Sequence, residues 1–389
     1  MPTAPLARPQ RRSPMACTAP VRWRAMRTLA GLMACLSLAG CGSAGPLPET
    51  TGEGARREDG RYQNRQPGFE PKAFTELLRW RWQALREGLP KPPREPIPTE
   101  APDTAFIRAN AGAGAAMVPA VTWIGHATVL VQAGGLNLLT DPVFSERASP
   151  LTWIGPKRAQ PPALDPGTLP RIDVVVISHN HYDHLDEASV KALAAQRGGS
   201  PLFVVPLGLK AWLAEHGITN AVELDWWQGH RIGDTEVVLT PVQHWSARGL
   251  GDRMKTLWGG YAVLQPGFRW FFAGDTGYSQ DFQEIAGRLA PRLGGVGFDL
   301  ALLPIGAYEP RWFMQPQHVN PAEAVQIHRD LGARRSLGIH WGTFALTDES
   351  LDEPPRALAL ARRAAGLADD TFFVTPIGRT QRLDSRPAP

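Results

Sequence analysis

The chain has 389 residues, 43% of them hydrophobic, with a formal net charge of +4 and three cysteines. A chain of that length buries a sizeable core without disulfide staples, and Cys17, Cys35 and Cys41 all lie near the start, so the body has neither a disulfide nor a cysteine metal ligand. The positive charge also belongs to the start: Arg8, Arg11, Arg12, Arg22, Arg24 and Arg27 outweigh it, the rest of the chain has no basic run, and nucleic acid is excluded as a partner.

In chain order, the first feature is the apolar run TLAGLMACLSLAG at 28–40, preceded by arginines. It is too short to span a bilayer and has the shape of a signal-peptide core. The run ends in Leu38-Ala39-Gly40-Cys41, which resembles a bacterial lipobox. In that pattern the chain is cut before Cys41 and the cysteine is lipidated. Gly42, following in place of Asp, directs the protein to the outer membrane, facing the periplasm. Residues 1–41 are therefore read as a lipoprotein-type signal peptide, and 42–70, polar and rich in Gly and Pro, as a flexible tether. The remaining residues, 71–389, form one catalytic domain, since no linker divides them.

Within that domain the spacing predicts a helix over 72–88, ended by the proline-rich 91–98. Strands follow at 121–124, 128–132 and 136–140, the last two joined by a tight turn at Gly134-Gly135. The run Val174-Val175-Val176-Ile177 reads as a strand buried on both faces. Further strands are expected at 202–205, 235–240, 261–264, 268–273, 299–303 and 335–339. Helices are expected at 187–195, 207–215, 281–289, 321–330 and 355–365. The mixture makes an α/β fold of sheets covered by helices.

The strongest chemical signal is Ser178-His179-Asn180-His181-Tyr182-Asp183-His184, placed directly after the apolar strand. Three imidazoles and a carboxylate within six positions are the ligand types of catalytic zinc. His244, Asp275 and His340 each sit just past a strand, where loops on a rigid scaffold carry chemistry. A second metal needs a second cluster and a shared ligand, and these residues supply them. His216, His230 and His328 have no such context and read as structural.

With those residues in place, the chain resembles the metallo-β-lactamase superfamily, and within it N-acylphosphatidylethanolamine-hydrolysing phospholipase D. The resemblance runs over roughly 70–385. It is carried by TWIGHATVLV at 122–131, TDPVFSERASP at 140–150, SHNHYDHLD at 178–186, QHWSARG at 243–249, FAGDTGY at 272–278, PIGAYEPRWFM at 304–314, QHVNP at 317–321 and IHWGTFALT at 339–347. It implies an αββα sandwich and two Zn2+ ions: His179, His181 and His244 on one, Asp183, His184 and His340 on the other, and Asp275 between them. It also implies catalytic roles for Asp183, Asp275 and His318, and substrate contact by Gln317 and His318. The matching position His126 reads as a hydrogen-bonded support. The implied partners are a phospholipid substrate, the membrane through Cys41, and a second copy of the chain, since animal members imply a homodimer. Fold and metal site alone also fit a lactonase or another small-substrate hydrolase. A non-catalytic lipid-binding envelope protein has no need of seven ligands.

Overall fold

A computed structural model describes Met1 and residues 54–66, 69 and 72–384. The expected signal peptide, Cys41 and the first part of the tether lie outside the described residues, Met1 aside. The chain divides into a short unit, Met1–Ser43, and a body, Ala44–Pro389.

Two seven-stranded sheets form the centre of the body. The first has the order β16-β3-β4-β5-β6-β7-β8, from β3 (Ala120–Gly125), β4 (Thr128–Ala133), β5 (Leu136–Thr140), β6 (Val174–Val176), β7 (Leu202–Pro206), β8 (Ala221–Leu224) and β16 (Thr380–Arg382). The second has the order β15-β14-β13-β12-β11-β10-β9, from β9 (Gly229–Ile232), β10 (Thr235–Thr240), β11 (Gly260–Gln265), β12 (Phe268–Phe272), β13 (Leu300–Pro304), β14 (Arg335–Ile339) and β15 (Phe372–Phe373). Each sheet is antiparallel at one side and parallel at the other. Ala133 pairs with Leu136 across Gly134 and Gly135, both left-handed at φ 57° and 78°, as a two-residue hairpin turn requires.

The alternation along β6 explains the layers. Val174 and Val176 join Val204 of β7 and Val237, Val263 and Phe271 of the other sheet in the central core. Val175 and Ile177 point the other way and pack with α2 (Thr104–Ala111), α3 (Glu187–Ala194) and α4 (Leu209–Glu215) through Ile107, Val190, Leu193 and Leu213. Both faces are thus buried, which is why the strand is apolar throughout. On the second sheet, α5 (Asp281–Leu293) contributes Phe282, Ile285, Leu289 and Leu293, and α7 (Pro321–Asp330) contributes Ala324 and Ile327. The architecture is α/β, two sheets between helices.

Two expectations are corrected. The helix predicted to stop at 289 runs on to Leu293 across Pro291, because Leu293 continues the buried stripe. Residues 54–66, read as part of a tether, form a hairpin of β1 (Arg57–Glu58) and β2 (Arg61–Tyr62) against the body. Tyr62 is 1% exposed, its N–H donates to the Met254 carbonyl at 2.7 Å, and Ala55 N–H donates to Asp225 at 2.9 Å. Their polarity hid two buried anchors, Ala55 and Tyr62. The expected helix at 72–88 is α1 (Phe74–Glu87), and α6 (Arg311–Met314) and α8 (Glu353–Ala364) are the remaining α-helices among the described residues.

Candidate metal centre

Strands β3, β5 and β6 run in one direction in the first sheet, and β10, β12 and β14 in one direction in the second. His126, Asp141, the 179–184 loop, His244, Asp275 and His340 follow their carboxyl ends, the edge at which open sheets bind ligands. The expected ligands, more than 160 residues apart at the extremes, meet there.

His179 Nε2, His181 Nδ1 and His244 Nε2 form one group: His181 Nδ1 lies 2.8 Å from His179 Nε2 and 3.3 Å from His244 Nε2. Their far sides fix the protons. Asp141 takes the Ser178 hydroxyl at 2.5 Å, so Ser178 Oγ accepts from His179 Nδ1 at 2.9 Å. His244 Nδ1 donates to the Gln317 carbonyl at 2.9 Å. Both Nε2 atoms therefore turn bare lone pairs inward. Burial pushes His179 well below 6.5, His181 down to about 4 and His244 down to about 3, so the group stays neutral. The bare lone pairs of His179 and His244 converge on His181 Nδ1, and three neutral imidazoles so gathered fit a divalent cation.

The second group is charged. Asp183 Oδ2 lies 3.5 Å from both His184 Nε2 and His340 Nε2, and those two nitrogens are 3.3 Å apart. Asp275 joins the groups: its Oδ2 is 3.0 Å from His184 Nε2 and 3.9 Å from both His179 Nε2 and His244 Nε2, and its Oδ1 is 3.1 Å from His340 Nε2. Burial opposes ionisation of Asp183 and Asp275, but the surrounding imidazoles, His184 first, outweigh it and hold both carboxyls well below the usual range. Burial likewise opposes charge on His184 and His340, but Asp275 and Asp183 raise the first well above 6.5 and the second to about 9. Two Nε2–H groups cannot face each other at 3.3 Å, whereas a cation between the carboxylates satisfies both nitrogens. The donor set fits metal binding.

Three further residues hold this edge. Asp141 sits under both groups: it accepts from His184 Nδ1 at 2.6 Å, and through Ser178 it sets His179. It follows strand β5 as Asp275 follows β12, and the same rule applied to the sequence would have found it. His126 Nε2 is 3.1 Å from Asp183 Oδ2, a support for that carboxylate. His126, Asp141 and His340 adopt left-handed backbone at φ 54°, 31° and 62°, a strained conformation gathered at this edge. Gly306 abuts the backbone here, and a Cβ on it would meet the His340 carbonyl at 2.2 Å. Gln317 acts through its carbonyl, and its side chain is buried with the amide 3.4 Å from Met314 Sδ rather than open to a substrate. His318 is at the rim, its Nδ1 without a partner and 3.9 Å from Asp275. His216 bonds the Trp212 carbonyl, His328 lies against Ser336 Oγ, and His230 lies in β9 opposite Val237.

Residues 136–341 match the family model described as the beta-lactamase superfamily domain. A Caenorhabditis elegans protein named N-acyl-phosphatidylethanolamine-hydrolyzing phospholipase D 1 is 44% identical over 265 residues, 65% of this chain and 72% of that protein. A Saccharomyces cerevisiae protein, named as the mitochondrial N-acyl-phosphatidylethanolamine-hydrolyzing phospholipase D, is 38% identical over 269 residues, 68% of this chain and 56% of that one. A solved metallo hydrolase from the archaeon Ignicoccus hospitalis shares the fold with a TM-score of 0.51 at 21% identity, over 69% of this chain and 100% of that structure.

Proposed function

Because the chain belongs to the beta-lactamase superfamily, in the family of the N-acylphosphatidylethanolamine-hydrolysing phospholipases D, and is a metal-dependent hydrolase of that fold, we propose that it is a dinuclear zinc phosphodiesterase of phospholipase D type. The substrate is N-acylphosphatidylethanolamine or a related phospholipid. Water adds its oxygen to phosphorus, the bond from phosphorus to the ethanolamine oxygen breaks, and that oxygen takes up a proton. The products are phosphatidic acid and an N-acylethanolamine. The observation that carries the reading is the seven-residue set itself, with Asp275 in reach of both groups.

His179, His181 and His244 would hold one ion, Asp183, His184 and His340 the other, and Asp275 both. When bound, zinc supplies Lewis-acid neutralisation of phosphoryl charge and a nucleophile at neutral pH. The protein's own groups do the rest. Asp141 and Ser178 keep the ligand lone pairs inward, and His126 holds Asp183. Burial pushes His318 down to about 3, which leaves it neutral, and from the rim it orients the phosphate by a hydrogen bond.

A bilayer is part of the same proposal. Helix α1 packs Trp80 and Ala84 against Phe313 and Met314 but leaves Phe74, Leu78, Trp82 and Leu85 on its outer face. Arg79, Arg81 and Arg86 interleave, with Arg86 4.5 Å above the Trp82 ring. An apolar stripe among arginines fits a lipid interface. It supports action on a membrane substrate, and the proposal includes a lipid anchor at Cys41, a place at the bacterial outer membrane facing the periplasm, and a homodimer.

The test is hydrolysis of N-acylphosphatidylethanolamine in detergent micelles, with and without a chelator and with zinc counted. Chelator-sensitive release of N-acylethanolamine by protein with two zinc ions is expected. No release from zinc-loaded protein would move the reaction to another phosphodiester or a lactone.

A further inference from the structure

His244 lies past the end of β10 and outside any strand, so no neighbouring strand pairs its backbone. It is 1% exposed, and buried backbone groups without partners are costly. One side chain takes both of them: His244 N–H donates to Asn64 Oδ1 at 3.0 Å, and Asn64 Nδ2 donates to the His244 carbonyl at 2.7 Å. The amide thus stands in for a missing strand partner. With Nδ1 held by the Gln317 carbonyl, His244 is gripped on both sides, and its Nε2 has one direction left.

Asn64 is itself held. Before it, Tyr62 N–H donates to Met254 and Arg61 to the Arg253 carbonyl. After it, the Arg65 guanidinium donates to Asp281 at 3.0 Å and to Glu284 at 2.6 and 3.1 Å, and lies 5.6 Å from the Trp227 ring. The hydrogen-bonding anchors sit on the loop after His244 and on the first turn of α5, elements of the second sheet's side.

We propose that the amino-terminal arm, residues 54–66, is a working part of the metal centre, and that Asn64 is a positioning residue for the ligand His244. This rests on the dinuclear metal reading of the site. It predicts a selective effect: the group of His179, His181 and His244 depends on Asn64, while that of Asp183, His184 and His340 does not.

The experiment uses full-length protein with Asn64→Ala, Asn64→Asp or Arg65→Gln. Zinc affinity is measured by competition with a chromophoric chelator, alongside thermal unfolding and the visible spectrum of cobalt-substituted protein. Asn64→Asp keeps the acceptor for His244 N–H but sets a carboxylate oxygen against the His244 carbonyl. Both Asn64 variants are expected to weaken one of the two sites by about 10–100-fold, the range for groups that orient ligands, and to alter the cobalt spectrum. Arg65→Gln loosens the anchor beside Asn64 while leaving its amide in place, and is expected to lower the unfolding temperature with a smaller loss of zinc affinity than Asn64→Ala. Equal zinc affinity in Asn64→Ala and wild type overturns the proposal, as does an Arg65→Gln loss of affinity matching that of Asn64→Ala. Wild-type protein that takes up no zinc overturns the metal reading and this inference together. Wild type with one zinc, weakened in Asn64→Ala, removes only the dinuclear count.

Discussion

The two halves of the metal centre are built from the same residue type and held in opposite ways. His179, His181 and His244 are held neutral by burial, and His179 and His244 owe their orientation to hydrogen bonds on their outer sides, with Ser178 and Gln317. His184 and His340 sit among Asp141, Asp183 and Asp275, whose charge overcomes burial and raises both imidazoles above the ordinary value. The carboxylates beside an imidazole thus decide whether its pKa falls or rises, although burial acts on all five in the same direction.

The comparison breaks first at Asp275, the carboxylate whose oxygens lie among the inward nitrogens of both halves. Asp275→Asn is expected to lower turnover by more than the roughly 100-fold that orienting groups reach, with fewer than two zinc ions per chain by elemental analysis. Retained zinc and turnover would mean that the halves do not depend on a common ligand.

Asp141 reaches the halves unequally, directly at His184 and through Ser178 at His179. Asp141→Asn is expected to cost about 10–100-fold in zinc affinity, with the greater loss at the carboxylate-rich half. Ser178→Ala removes only the His179 support, and about tenfold at the other half is expected, measured by the same competition. Equal losses at both sites in both variants would erase the distinction.

His328 sharpens the comparison from outside, with the smallest expected effect on the centre. Burial, with Arg329 adding to it, lowers His328 to about 4, yet it faces Ser336 and no metal-ligating group. The unfolded chain titrates near 6.5, so between pH 6.5 and 4 it binds one proton more than the folded protein. His328 therefore subtracts nothing above pH 6.5 and destabilises increasingly as pH falls toward 4, by roughly 3 kcal/mol in full. His328→Asn is expected to flatten that acid slope in chemical unfolding while leaving zinc content unchanged. A low imidazole pKa alone does not mark a ligand; convergence with other lone pairs does.

Much of this could be read in the sequence. The run 174–177 had to be a strand buried on both faces, because four consecutive apolar residues directly before a polar ligand loop leave no solvent side. The residues of 179–184 are neighbours in the chain, so their grouping is local and spacing reveals it. That His244, Asp275 and His340 follow strands was legible too, since a strand end is marked by the change from apolar to polar. Pattern and ligand chemistry named the candidates, and family resemblance sorted them into two groups.

Other features depended on contacts across the chain. Asn64 and His244 are 180 positions apart, and nothing in either neighbourhood encodes their pairing. Which carbonyl takes the His244 proton, which carboxylate lies under both His179 and His184, and whether a polar segment such as 54–66 swings free or packs were settled by the closed sandwich. By itself the sequence determined the inventory of candidate ligands and the strands that carry them, because local periodicity and residue chemistry suffice for both. Only the tertiary structure decided how each ligand is aimed and charged, because orientation and ionisation depend on neighbours that the chain brings close only by folding.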